Sequence, residues 1–398
     1  MKRLVLTFAF IFAATNGWCA KKITVGQLED MLRSMQQDKK SDADVATALK
    51  RVELSQELTR STMNSLVSYV PGPQATEQIY VLEARSADLI PPESDLPSTP
   101  APDPATQKAI LGKAASYVGG TYAQLPNLSS TKTTLRFQDN VEALASSSGL
   151  QGGATDVVVS SGFSNPATFV HYINSSENLV TSAHGAEKWP SEKDKTPWGA
   201  NKMIALQEPD PSLADVFKEA QKAENLHWLR WESINGKAAA VYAFTVSRKQ
   251  SQLDVNVCCF PNINQAGIAT FYTATTAAAL GGGSGGGGVA GNFQTSTDWH
   301  NFKTTAAYHG ELFIDPDSGI VLRMITEAEL KPSEVVHELD TRVDFGPVKV
   351  NNKMLVVPVK TFVNTLVVPN GDSGAATYTE RRTLFTSEYK DYALAETK

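Results

Sequence analysis

Cysteine is nearly missing from this chain of 398 residues, which holds three. Cys19 lies within the N-terminal leader, so Cys258 and Cys259 are the pair left, and no disulfide framework holds the fold together. As neighbours in an extended segment those two point to opposite faces, which suits a bond between them poorly. Histidine is sparse as well. The six residues are dispersed, without His-x-His or His-Glu-x-x-His spacing. Glu334 and His337 would share a face of a helix but lack a partner set, so neither a metal nor a cofactor is expected. There is no basic excess either: the formal net charge is −6. That balance lacks the footprint of a protein that binds nucleic acid or an anionic membrane surface. No repeat of fixed period is present, and beyond residue 20 no apolar run reaches the roughly 20 residues needed to cross a bilayer.

What the chain does have begins at its N-terminus. Lys2 and Arg3 precede an apolar stretch from Leu4 to Ala14, followed by small and polar residues, the pattern of a secretory signal peptide over residues 1–20. Trp18, directly before Cys19, is too large for a lipoprotein cleavage site, so a lipid anchor is not expected. The mature protein is read as exported, periplasmic or secreted. The full chain's 41% hydrophobic content is enough to fill a core, so the chain is not disordered as a whole.

Residues 21–90 read as a helical N-terminal region. Leu28, Met31, Leu32 and Met35 form one stripe and Val45, Leu49 and Val52 another, which predicts an antiparallel helical hairpin from Ile23 to Tyr69. Ser41 or Asp42 caps its second helix, and Pro71-Gly72-Pro73 ends it. Residues 91–103 are a proline-rich linker, extended and semi-rigid. Asp103-Pro104 then opens another helix that runs to about Tyr122.

Residues 104–398 turn from helix to short apolar runs. Strands are predicted at 155–159, 168–173, 237–247, 253–260, 307–314, 320–325 and 354–359, with type I′ turns at Asn235-Gly236 and Asn351-Asn352. Asp210-Pro211 starts one intervening helix. Residues 281–291 are a glycine-rich loop that cannot pack. The fold class that follows is α+β: an N-terminal helical hairpin, then a curved antiparallel β-sheet, or half-barrel, with helices packed on it.

Several short motifs fail on context. Gly282-x-Ser284-x-Gly286 has the spacing of a hydrolase nucleophile elbow but no helix after it. Asp315-Pro316-Asp317-Ser318-Gly319 starts like a calcium loop and lacks the later ligands, so it reads as a turn. A catalytic alternative comes from separated segments. Leu179-Val180-Thr181-Ser182-Ala183-His184 looks like the histidine motif of chymotrypsin-like serine peptidases, Gly371-Asp372-Ser373-Gly374 looks like their nucleophile motif, and Asp254 is the candidate acid. In that reading His184 is the base, Asp254 the orienter and Ser373 the nucleophile. Against it, Ala375-Ala376-Thr377 depart from the family's continuation after Gly374, and the segment around Ser373 is also what a hairpin loop looks like.

Tyr122-Ala123-Gln124-Leu125-Pro126-Asn127, Thr134-Leu135-Arg136-Phe137-Gln138, Thr24-Val25-Gly26-Gln27-Leu28-Glu29, Val52-Glu53-Leu54-x-x-Glu57-Leu58 and Tyr308-His309-Gly310-Glu311-Leu312-Phe313-Ile314-Asp315-Pro316 resemble a group of uncharacterised exported bacterial proteins. More remotely, the order of a helix, a Phe-Gln strand and a run of hairpins resembles the periplasmic lipoprotein-carrier family. That resemblance implies a half-barrel around an apolar cavity, and with it a non-catalytic protein that binds a lipid or other apolar ligand. Trp231, Phe244, Ile314 and Phe345 are the lining residues it points to. The alternatives are the serine hydrolase and a structural envelope protein. Nothing in the sequence fixes the oligomeric state.

Overall fold

The computed structural model describes residues 21–138, 170–188, 212–223, 225–261, 299–367 and 381–395. The signal segment, the glycine-rich loop and the strand expected at 155–159 lie outside them.

The chain opens with a helical unit. Strand β1 (Lys21–Ile23) leads into α1 (Val25–Gln37), followed by α2 (Asp42–Leu49), β2 (Val52–Leu54), α3 (Arg60–Leu66) and α4 (Pro73–Arg85). Thr24 caps α1 in a reciprocal box with Gln27, and Ser41 caps α2. Leu28 and Leu32, both fully buried on the predicted stripe, each stabilise the unit by about 1.5–3 kcal/mol. The hairpin expectation is corrected beyond Leu49. Val52 and Leu54 alternate with Glu53 instead of continuing the helix, and they pair in parallel with Lys21 and Ile23. Pro73 does not end a helix but begins α4 at its first position. The Asp42 carboxylate accepts the backbone N–H groups of Gln74 and Ala75 at 3.0 and 2.9 Å, so it caps α4.

Asp103 caps α5 (Pro104–Ser116), accepting from Ala105 and Thr106, and the chain runs on in tighter and wider turns to Gln124. The remaining strands are β3 (Leu128–Gln138), β4 (His171–Ala183), β5 (Ala186–Glu187), β6 (His227–Ile234), β7 (Lys237–Val246), β8 (Asp254–Pro261), β9 (Trp299–Thr305), β10 (Ala307–Ile314), β11 (Val321–Glu329), β12 (Val336–Val350), β13 (Lys353–Val367) and β14 (Arg381–Leu394), with α6 (Leu213–Lys222) before β6. Ten of them form one open, curved antiparallel sheet in the order β5-β4-β3-β14-β13-β12-β11-β10-β7-β6, and β8 and β9 form a separate ribbon. The fold is α+β. Asn235-Gly236 and Asn351-Asn352 turn with positive φ at both positions, as type I′ hairpins require. The turn after β10 is closed by Asp315 Oδ1, which accepts from Asp317 N, and by Gly319 at φ +75°.

Period-2 alternation divides the sheet into two faces. On the inner face, Tyr242, Phe244, Tyr308, Leu312, Met324, Val343 and Phe345 pack under Ile110 and Ala114 of α5 and Phe217 and Ala220 of α6. Further along that face the ribbon lays Val255 and Val257 over Leu339, Val363 and Phe385. On the outer face, Val81 and Ala84 of α4, with Ala87, meet Phe137, Phe362 and Leu384. The helical unit and α5 therefore lie on opposite faces. The connector between them passes the edge strand β6, where Trp231 Nε1 donates to Pro100 O at 2.8 Å. No described helix is long and apolar enough to cross a membrane.

Candidate functional site

The seam between the helical unit and the outer face is built on a row of charges. The strand register sets Arg323 on β11 opposite Asp344 on β12, Asp344 opposite Lys360 on β13, and Lys360 opposite Glu388 on β14. Signs alternate from strand to strand, so each neighbour is attractive. Arg342, two residues before Asp344, shares the face.

The helical unit answers this row with Glu57 and Glu83. Glu57 lies between β2 and α3, and its stretch is pinned by Glu57 N to Ile90 O at 2.9 Å and Leu58 N to Ser86 Oγ at 3.0 Å. Arg342 Nη1 donates to Glu57 Oε1 at 2.6 Å and to Ala87 O at 2.9 Å, while its Nε and Nη2 donate to Asp344 at 3.0 and 2.9 Å. Arg323 reaches Asp344 at 2.6 Å and Glu57 at 3.4 Å. Glu83 on α4 takes Lys360 at 3.1 Å and Arg60 at 3.3 Å. Along the sheet, Arg230 bridges Glu232 and Glu311, both at 2.8 Å.

Burial alone would raise the Asp344 carboxyl, but the Arg323 and Arg342 guanidiniums outweigh it and hold the group well below the usual carboxylate range. Burial dominates at Glu232, whose carboxyl is raised in spite of Arg230 and Arg323. It also lowers Lys360, which Glu83 offsets only in part. Asp344 and Arg342 are thus both shifted toward their charged forms, whereas burial disfavours the charged forms of Lys360 and Glu232.

Above this floor is a cavity of about 590 Å³ lined from both sides, by Arg60, Thr62 and Glu83 of the helical unit and by Ser233, Asn235 and Lys360 of the sheet among others. Its walls offer hydroxyl, amide, ammonium, guanidinium and carboxylate groups. Such a set suits a polar molecule carrying both donors and acceptors.

The residues singled out from the sequence lie elsewhere. Phe244, Ile314 and Phe345 belong to the inner-face core under α5 and α6, and Trp231 is half-buried at the sheet edge with its ring 4.9 Å from that of Trp228. Phe345 also lines a crevice of about 30 Å³ with Tyr122, Pro358, Tyr389 and Tyr392. His184 is exposed in the turn between β4 and β5 at φ 52°. Asp254 begins the ribbon, accepts from Thr305 Oγ1 at 3.0 Å and lies 4.0 Å from Lys303 Nζ. Ser373, like Ser284, lies outside the described residues. Glu334 and His337 do not share a helical face, because the chain turns at Glu334 and is extended from Val336 onward.

Sequence reasoning missed the seam. Glu57 stood within one of the quoted stretches without a role. The signal that would have found its partners is Thr341-Arg342-Val343-Asp344-Phe345, where charges alternate with apolar residues in a strand whose apolar face is core. The chain matches no protein-family model, no curated protein and no solved structure.

Proposed function

We propose that this is an exported, non-catalytic binding protein that holds a small polar ligand in the cleft between its helical unit and its sheet. The observation that carries this reading is the 590 Å³ cavity at the junction of two separately cored units. Ligand sites commonly have volumes of about 300–1,000 Å³ and favour such junctions. The charged floor is held by paired hydrogen bonds, which keeps its groups oriented before a ligand arrives. Native mass spectrometry of the full chain, purified without denaturation, tests it. A co-purifying polar molecule that is lost in a variant with the cleft filled, Thr62→Trp, is the expected result. A ligand-free protein whose melting temperature is unmoved by polar metabolites would overturn it.

A lipid or other apolar ligand at the inner face is the second reading. The resemblance to the lipoprotein-carrier family supports it, as does the aromatic crevice formed by Tyr122, Phe345, Tyr389 and Tyr392. At about 30 Å³ that crevice has room for roughly one water. An acyl chain would have to displace side chains that now pack against α5. Co-purified lipid would favour this reading over the first.

A further inference from the structure

A second row on the outer face breaks the alternation of sign. His309 on β10 stands opposite Glu327 on β11, Glu327 opposite Asp340 on β12, and Asp340 opposite Asn364 on β13. Two carboxylates are therefore direct cross-strand neighbours, an arrangement that is destabilising when both are ionised. Glu338, two residues along β12, adds a third. Asp88, just after α4, adds a fourth from the helical unit, and all four line one crevice of about 340 Å³ in the seam.

Compensation is partial. His309 Nε2 lies 3.1 Å from Glu327, Arg382 lies 2.8 Å from Glu338, and Asn364 Nδ2 donates to Asp340 at 2.7 Å. Lys22, Glu53 and Arg85 line the same crevice from β1, β2 and α4. Among the described residues neither Asp340 nor Asp88 forms an ion pair, and no group of three is placed to hold a metal ion. Protonation of a carboxyl relieves the repulsion that these partners leave.

We propose that this acidic row is a pH-sensitive latch, which closes the helical unit onto the sheet when Asp340 is protonated and loosens it when Asp340 ionises. The latch needs no ligand and stands apart from the cleft reading. Burial, then the charge of Asp88, then Glu327 and Glu338 push the Asp340 carboxyl up to about 7, against the hydrogen bond from Asn364. Burial also raises Asp88, with Glu327 and Glu338 adding to it and Arg382 opposing. A carboxyl raised in the folded state contributes stability that is complete below its unfolded value and is lost as pH rises through the folded one. The window is therefore mildly acidic to neutral.

Amide hydrogen exchange of the full chain tests the latch, read at α4 and residues 86–90 at about pH 5.5 and about pH 8 and corrected for intrinsic chemistry, with α1 amides as the internal reference. Opening of the seam in the wild type should be at least about tenfold more frequent at the higher pH. In Asp340→Asn, and independently in Asp88→Asn, that dependence should flatten. Equal wild-type protection at both pH values, or an unchanged slope in both variants, overturns the proposal. No ligand enters the experiment, so its failure leaves the cleft reading standing.

Discussion

Replacing Glu57 by alanine removes the one carboxylate that the helical unit contributes to the Arg323–Arg342–Asp344 cluster. The side chains of Glu57, Arg342 and Arg323 are 5%, 9% and 8% exposed, so solvent does not screen the loss. Breaking a buried ion pair from one side costs about 3–5 kcal/mol, because the other charge is left behind. Here Arg342 keeps Asp344 and Ala87 O, and Arg323 keeps Asp344 at 2.6 Å and Glu232 at 3.5 Å. The expected cost is therefore at the lower end, about 3 kcal/mol, with Glu57→Gln about half of that because an amide oxygen still accepts. Urea denaturation measures it with a useful division of labour. Residues 21–90 contain no tryptophan, whereas Trp228 and Trp231 sit in the sheet. Far-ultraviolet dichroism reads α1–α4 together with α5 and α6 of the sheet unit, whereas fluorescence follows the sheet, so in Glu57→Ala the dichroism should show an earlier, partial transition that fluorescence lacks. A double-mutant cycle with Arg342→Met should return a coupling of about 2 kcal/mol. Coincident transitions with a loss under about 1 kcal/mol would refute the assignment of this cluster as the bond between the units.

Other consequences are more local. Gly319→Ala should lower stability by about 3 kcal/mol in thermal melts, since the backbone sits at φ +75° and a Cβ would lie 2.4 Å from the Lys113 carbonyl carbon. An unchanged melting temperature would show that the turn is not seated on α5. Tyr308→Phe should cost about 1.5–3 kcal/mol in urea, because the hydroxyl donates to buried Glu219 at 2.8 Å; a neutral result would mean that Glu219 finds another donor. A fluorophosphonate probe should leave the full chain unlabelled, whereas labelling that vanishes in Ser373→Ala would reinstate the hydrolase.

The parts legible in the sequence are those decided by neighbours along the chain. Asn235-Gly236, Asn351-Asn352, Asp103-Pro104 and the Asp315 turn each carry their geometry in a few residues, and each is found where expected. The break after Leu49 was not legible, because Val52 fits both a helical stripe and a strand, and pairing with Ile23 and its neighbours decides between them. Strand β14 was missed for a related reason. Its inner positions, Thr383, Phe385, Ser387 and Tyr389, are buried yet mix polar and apolar types, so no period-2 signal survives. The seam needs both register and docking, and neither is local.

The energetics of the seam differ from those of the units it joins. The helical unit has its own core of Leu28, Leu32, Leu49, Met63, Leu66 and Ile79, while among the described residues the buried apolar cluster it shares with the sheet is a small one, with Val81, Ala84 and Ala87 on its side. Docking thus leans on charge more than folding does. The connector of residues 91–103, at about 3.1 Å per residue when extended, reaches roughly 40 Å, so undocking would leave the unit tethered and able to return. A ligand that bridges the cleft stabilises the docked state by about 2.7 kcal/mol at a hundred times its Kd, and protonation of Asp340 stabilises the same state from the other crevice. Two influences on one equilibrium must be reciprocal. If both readings hold, a cleft ligand binds more tightly at about pH 6 than at about pH 8, and Asp340→Asn removes the difference. Calorimetric titration at the two pH values decides it: equal affinities in the wild type would mean that the cleft and the acidic row do not share a hinge.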